Sequence, residues 1–169
     1  MSTLLYILKP EDYLAETIKI LKGVSKDYVV IYVTTNKLYS GLKEVFLKNG
    51  INIKNIFFID CVSKNVDKDV KAKEDENVVF LDSASNLTNI SIAIIESIKV
   101  TGNKKILFLD SLSTLALFND VKVLQKFSYY IVNEMAVMGC DTAILTLESD
   151  MDKNIVEMVK SIVDQVIKL

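Results

Sequence analysis

Lys105-Ile-Leu-Phe-Leu-Asp110-Ser-Leu-Ser-Thr-Leu115 decides the fold. Four apolar residues in a row, with no alternation, suit a strand covered on both faces of a parallel sheet. The run ends in a carboxylate, Asp110, and breaks at once into hydroxyls at Ser111 and Ser113. Two other runs end the same way, Ile56–Ile59 before Asp60 and Val78–Leu81 before Asp82. Ligands bind at the C-terminal ends of strands in open α/β sheets, so these are candidate site positions. Asp and Ser also open turns and cap the helices that follow strands, and the cap is the stronger reading of each.

Outward from this stretch, the pattern alternates between strand and helix. Leu4–Leu8, Tyr28–Val33 and Ala143–Leu147 read as further strands. Between them, Tyr13, Leu14, Thr17, Ile18 and Leu21 fall at helical spacing. So do Leu38, Leu42, Val45 and Phe46, then Asn89–Val100, then Leu124, Phe127, Ile131 and Met135, and finally Ile155–Ile162. The tail from Asp164 to Leu169 reads as a last short strand. Strands and helices in this rhythm predict a single α/β domain over residues 1–169, three αβα layers around a mainly parallel sheet. Gly23, Gly50, Gly102 and Gly139 each fall between a helix and a strand, where a left-handed residue closes the helix. Ser63–Asn77 is charged and reads as a solvated excursion, its lysines alternating with acids. Tyr129 and Tyr130 read as core and boundary packing, and Glu11 and Asp12 as favourable charge at a helix start.

Composition excludes several chemistries. The 169 residues include no histidine and no arginine, so all 20 cations are lysines against 22 acids. Without histidine there is no Ser-His-Asp or Cys-His mechanism. Without arginine there is no arginine finger and no bidentate phosphate fork from this chain. A net charge of −2 gives no drive toward nucleic acid. No apolar run reaches the roughly 18 residues of a membrane span, and no signal peptide is read, so the expected location is cytoplasmic. Cys61 and Cys140 read as buried, reduced thiols. The turn after the first strand is Lys9-Pro10-Glu11-Asp12, which lacks glycine, lacks one N–H and adds two carboxylates. That turn repels a triphosphate rather than cradling it.

From about Tyr28 to Leu169 the chain resembles the RecA superfamily, in particular the KaiC-like ATPases common in archaea. Phe57-Phe-Ile-Asp60 is similar to a strand of that family. Ile106-Leu-Phe-Leu-Asp110-Ser-Leu-Ser113 resembles its Walker B strand, Thr142-Ala-Ile-Leu-Thr146-Leu-Glu148 its next strand, and Val163-Asp-Gln-Val-Ile-Lys-Leu169 its closing strand. The resemblance implies a RecA-like (P-loop NTPase-like) sheet, with Asp110 as the candidate magnesium ligand and Thr146 as a sensor-like polar group. The departures fall on the catalytic parts. No Gly-x-x-x-x-Gly-Lys-Ser/Thr loop occurs, and the family's acidic pair after the second strand is replaced by Thr34-Thr35-Asn36. No residue carries over as base, phosphate lysine or finger.

The expected function is a non-hydrolysing pseudo-ATPase that regulates or scaffolds by binding a protein partner or a second copy, with no cofactor, nucleic acid or membrane. One alternative is a nucleotide or small-ligand sensor at Asp110, Ser111, Ser113, Thr146 and Glu148, with Lys9 nearby and magnesium at Asp110. A second is a small magnesium-dependent enzyme acting on phosphate esters, which needs two carboxylates within about 6 Å. Asp60 toward one edge and Asp110 near the sheet centre would be roughly 10 Å apart, too far for one ion.

Overall fold

The near-continuous apolar strands line up in one seven-stranded sheet. In the computed structural model, which describes residues 1–102, 104–148 and 153–169, the strands are β1 (Thr3–Leu8), β2 (Val29–Thr34), β3 (Ile56–Asp60), β4 (Val78–Phe80), β5 (Lys105–Asp110), β6 (Asp141–Leu147) and β7 (Gln165–Lys168). Their order is β4-β3-β2-β5-β6-β1-β7, and all six pairings are parallel. The helices are α1 (Tyr13–Val24), α2 (Tyr39–Lys48), α3 (Ser63–Val66), α4 (Leu87–Val100), α5 (Leu112–Phe118), α6 (Val121–Val137) and α7 (Lys153–Ile162).

Side chains alternate across the sheet, so each central strand feeds two cores. Ile31, Val33, Leu107 and Leu109 pack with α4, α6 and α7. Val30, Tyr32, Ile106 and Phe108 pack with α1 and α2 on the other face. The expected three layers follow. β2 and β5 are buried on both sides, which is why their sequences show no period of two. The second core is rich in rings. Tyr32 stacks on Phe108 at 5.1 Å between centroids and meets Phe46 edge-on at 5.4 Å.

Several expectations need correction. Strand β4 stops at Phe80, leaving Leu81 and Asp82 beyond it. The apolar face of α1 is narrower than its spacing suggests: Tyr13, Thr17 and Leu21 are buried, and Leu14 is exposed. Tyr129 and Tyr130 point outward from α6, at 59% and 44% exposure, and are not core. Helix α5 was hidden by the hydroxyls of the Ser111–Thr114 stretch, which prove to be its cap and first turn. Gly23 lies inside α1 rather than after it, and Gly102 is not left-handed. Only Gly50 and Gly139 have positive φ, at 72° and 64°, as helix closure requires. The two cysteines are buried and free. Among the described residues, no helix is long and apolar enough to cross a membrane.

The four inter-element glycines therefore separate into two classes. A Cβ would meet nothing within 4 Å at any of them, so backbone conformation alone sets the sign. Gly50→Ala and Gly139→Ala should each lower stability by about 1–2 kcal/mol. Gly23→Ala should raise it by about 0.5–1 kcal/mol, since it removes a helix-interior glycine. Urea unfolding of the three variants checks the contrast.

Candidate functional site

The register brings the two buried aspartates to one level. Thr34 at the end of β2 pairs with Asp60 on one side and Asp110 on the other. They are thus two strand spacings apart, roughly 10 Å. Each carboxylate has its own set of donors.

Asp60, fully buried, is a cap. Its Oδ1 accepts from the backbone N–H groups of Val62 and Ser63, both at 2.7 Å. Its Oδ2 accepts from the Tyr39 N–H at 2.8 Å and the Ser63 hydroxyl at 2.5 Å. Four donors satisfy a charge that burial would otherwise penalise heavily. Asp82, in contrast, is exposed and pairs with Lys64 at 2.9 Å.

Asp110 is 1% exposed at the end of the central strand. The parity of β5 turns it to the same face as Ile106 and Phe108, toward α1 and α2. There Oδ1 accepts from the Tyr13 hydroxyl and Oδ2 from the Tyr32 hydroxyl. The Asn36 amide adds a third bond to Oδ1 at 3.2 Å. Burial, and then the charge of Asp110, push both phenols well above their ordinary range, so they stay protonated and donate. Lys37 stands over the Tyr13 ring, 5.4 Å from its centroid.

The backbone around Asp110 is clamped as well. The Thr35 N–H donates to the Asp110 carbonyl at 2.8 Å, and the Thr35 hydroxyl accepts from the Ser111 N–H at 2.9 Å. The Asp110–Ser111 peptide bond is cis. Ser111 then caps α5, its hydroxyl accepting from the Thr114 N–H at 3.3 Å. The Ser111 and Ser113 hydroxyls are 3.1 Å apart, and that of Ser113 accepts from the Leu147 N–H at 3.2 Å.

The structure thus gathers Asp110, Ser111 and Ser113, but spends their polar atoms on one another and on the fold. Thr146 is buried near the end of β6. Its side and that of Glu148 line a different cavity, beneath α7, with Lys153, Lys160 and Lys168. Lys9 is exposed and precedes a single 3-10 turn at Pro10–Asp12, so Glu11 and Asp12 sit at the entry to α1. Among the described residues, no three acidic or thiol groups converge as a metal site.

Sequence reasoning missed Tyr13, Tyr32 and Asn36 as members of this cluster. One signal was available. A phenol in the middle of a doubly buried strand needs a polar partner, and Tyr32 stands in a run of valines and isoleucine.

Comparisons with known proteins agree with this architecture. KaiC-like protein PH0186 from Pyrococcus horikoshii OT3 superposes with a TM-score of 0.68 at 17% identity, over 99% of this chain and 70% of that one. The flagellar accessory protein FlaH from Methanocaldococcus jannaschii gives 0.67 at 13% identity, over 99% and 70%. The uncharacterised protein PH0321 from Pyrococcus horikoshii, solved in complex with an unknown peptide, gives 0.67 at 12% identity, over 99% and 76%. No curated protein matches. The KaiC ATPase family model matches residues 19–169. The chain belongs to the KaiC ATPase family.

Proposed function

We propose that this chain is a non-hydrolysing member of the KaiC family that acts as a regulatory or scaffolding module for a protein partner. The observation that carries the reading is the occupation of Asp110. Both of its oxygens are bound by protein donors, from α1, from β2 and from Asn36. These three donors take most of the roughly four acceptor sites of a carboxylate, and a magnesium ion ordinarily keeps several waters, for which a side chain 1% exposed leaves little access. Thr35 and Asn36, which stand where the resemblance calls for an acidic pair, instead hold the Asp110 backbone and side chain. Tyr13, in the first turn of the helix that follows the Lys9–Asp12 turn, closes the other side. The cluster that would hydrolyse a nucleotide has become part of the core.

The interaction half of the reading rests on the sheet edge. Among the described residues β7 pairs with β1 alone, and Val166 and Leu169 are 39% and 38% exposed along it. A sheet edge offers unpaired backbone groups to another strand, and here a single lysine, Lys168, guards it. A cytoplasmic setting is in keeping with two buried free thiols.

Three results test this. First, purified protein should release no phosphate from ATP, and its unfolding midpoint should not move with magnesium and ATP. A nucleotide at about a hundred times its dissociation constant would raise stability by about 2.7 kcal/mol, and the midpoint by roughly 5–10 °C. A magnesium-dependent shift lost in Asp110→Asn would sink the proposal. Second, Tyr32→Phe should lower stability by about 1.5–3 kcal/mol, the worth of a buried hydrogen bond to a charge, with or without magnesium. Third, sedimentation should show an assembly, with a second copy or with a bound chain, that Val166→Lys disrupts while circular dichroism stays unchanged.

A further inference from the structure

The charged stretch between β3 and β4 is not merely solvated. Val70, Lys71, Lys73 and Glu76 line, with Ser63, Phe80 and the start of α2, an open cavity of about 370 Å³. That volume lies within the range of small-ligand pockets, about 300–1,000 Å³. Like the Asp110 cluster, it opens at the C-terminal side of the sheet, but it belongs to β3 and β4 rather than to β5.

Its lining is sorted by charge in a way the sequence is not. Over residues 67–76 the acids Asp67, Asp69, Glu74, Asp75 and Glu76 outnumber the lysines. Of these acids, only Glu76 faces the cavity, while Lys71 and Lys73 both do, with Lys43 from α2. Glu76 is already committed. It accepts from Lys43 at 2.9 Å and from the Lys73 backbone N–H at 3.1 Å, which draws it below the usual carboxylate range. Glu76 thereby pairs with Lys43, pins the loop and attracts the Lys73 charge, while exposed Lys71 has no ion pair among the described residues.

The floor is aromatic. Tyr39 and Phe80 meet edge to face, 6.1 Å between centroids at 76°. Tyr39 is held in place from behind by Phe58 at 5.0 Å, and its N–H is fixed by Asp60. Exposed Ser40, with Ser63 and Val70, also lines the cavity. Two exposed lysines and a hydroxyl thus stand beside a ring pair of which Phe80 is the more open, Tyr39 being 6% exposed with the Lys43 ammonium 5.8 Å from its ring centroid.

We propose that this cavity binds a small phosphorylated ligand, with its phosphate between Lys71 and Lys73 and a planar or apolar body against Tyr39 and Phe80. The site does not depend on Asp110 and stands whether or not the chain is a scaffold. Lysine binds phosphate as a point charge, so recognition here is electrostatic and weakens with salt.

The test is an amide NMR titration of the full chain with AMP, inorganic pyrophosphate and adenosine at millimolar concentration. AMP and pyrophosphate should each give saturable shifts at Lys71, Lys73 and Phe80, and adenosine should bind more weakly than AMP. The Lys71→Glu/Lys73→Glu variant changes only exposed side chains, and should weaken both anions at least about tenfold, roughly the worth of two lost ion pairs. Raising the salt concentration should weaken them in the wild type. No saturable shift at these residues, or an unchanged affinity in the double variant, would overturn the site. Shifts centred on Asn36 and Asp110 would overturn both this site and the closed reading of Asp110. Shifts confined to residues 67–80 would leave that reading intact.

Discussion

A carboxylate at the end of the central strand must be satisfied or it cannot be buried. Asp110 is 1% exposed, and an unpaired charge there would cost several kcal/mol. The phenols of Tyr13 and Tyr32 and the amide of Asn36 meet it from three separate segments. Those donors in turn fix their surroundings. Tyr32 is seated by Phe46, Phe58 and Phe108, so the hydrogen bond and the ring cluster set one another's geometry. Tyr13 ties the start of α1 to the sheet, and the Thr35 clamp sets the path of the chain from β5 into α5. One buried charge thus organises the face of the sheet that packs against α1 and α2.

Most of the architecture was legible because its strands are buried on both sides. A run such as Val29–Thr34 or Lys105–Asp110 has no other stable home than the middle of a parallel sheet. The strand-end aspartates were also legible as positions, but not as roles. Asp60, Asp82 and Asp110 follow similar sequences, yet one is a cap, one is a surface ion pair and one is held by phenols. The difference lies in what the neighbouring strands and helices bring, and only the three-dimensional register supplies that. Tyr32 is 78 residues from Asp110 in the chain and a neighbour in space.

The glycines and tyrosines failed for a similar reason. Gly23 and Gly50 occupy equivalent places in the pattern, but α1 runs through Gly23 while Gly50 turns left-handed. Tyr129 and Tyr130 carry the composition of a core but fall on the outer side of α6. Ser63–Asn77 was read by average charge, whereas in the fold Lys71 and Lys73 line a cavity that, of the acids at 67–76, only Glu76 reaches. In each case the local pattern was correct about residue type and silent about facing.

The strand order also sets a timetable. β1 lies between β6 and β7, the two strands furthest from it in the chain. The ladder from β4 through β3 and β2 to β5 is assembled from residues 29 to 110, and can close while later segments are still being made. β1 cannot join it. Its inner neighbour begins at Asp141, 133 residues after Leu8, a delay of roughly seven to twenty-seven seconds at ribosomal speed. For that interval the apolar Leu4–Leu8 segment lacks both strands that pair with it in the finished sheet. The Thr3–Asp164 contacts, with an N–H donated each way at 2.7 and 2.9 Å, are among the last to form. The strand that emerges first is therefore among the last to be sheltered.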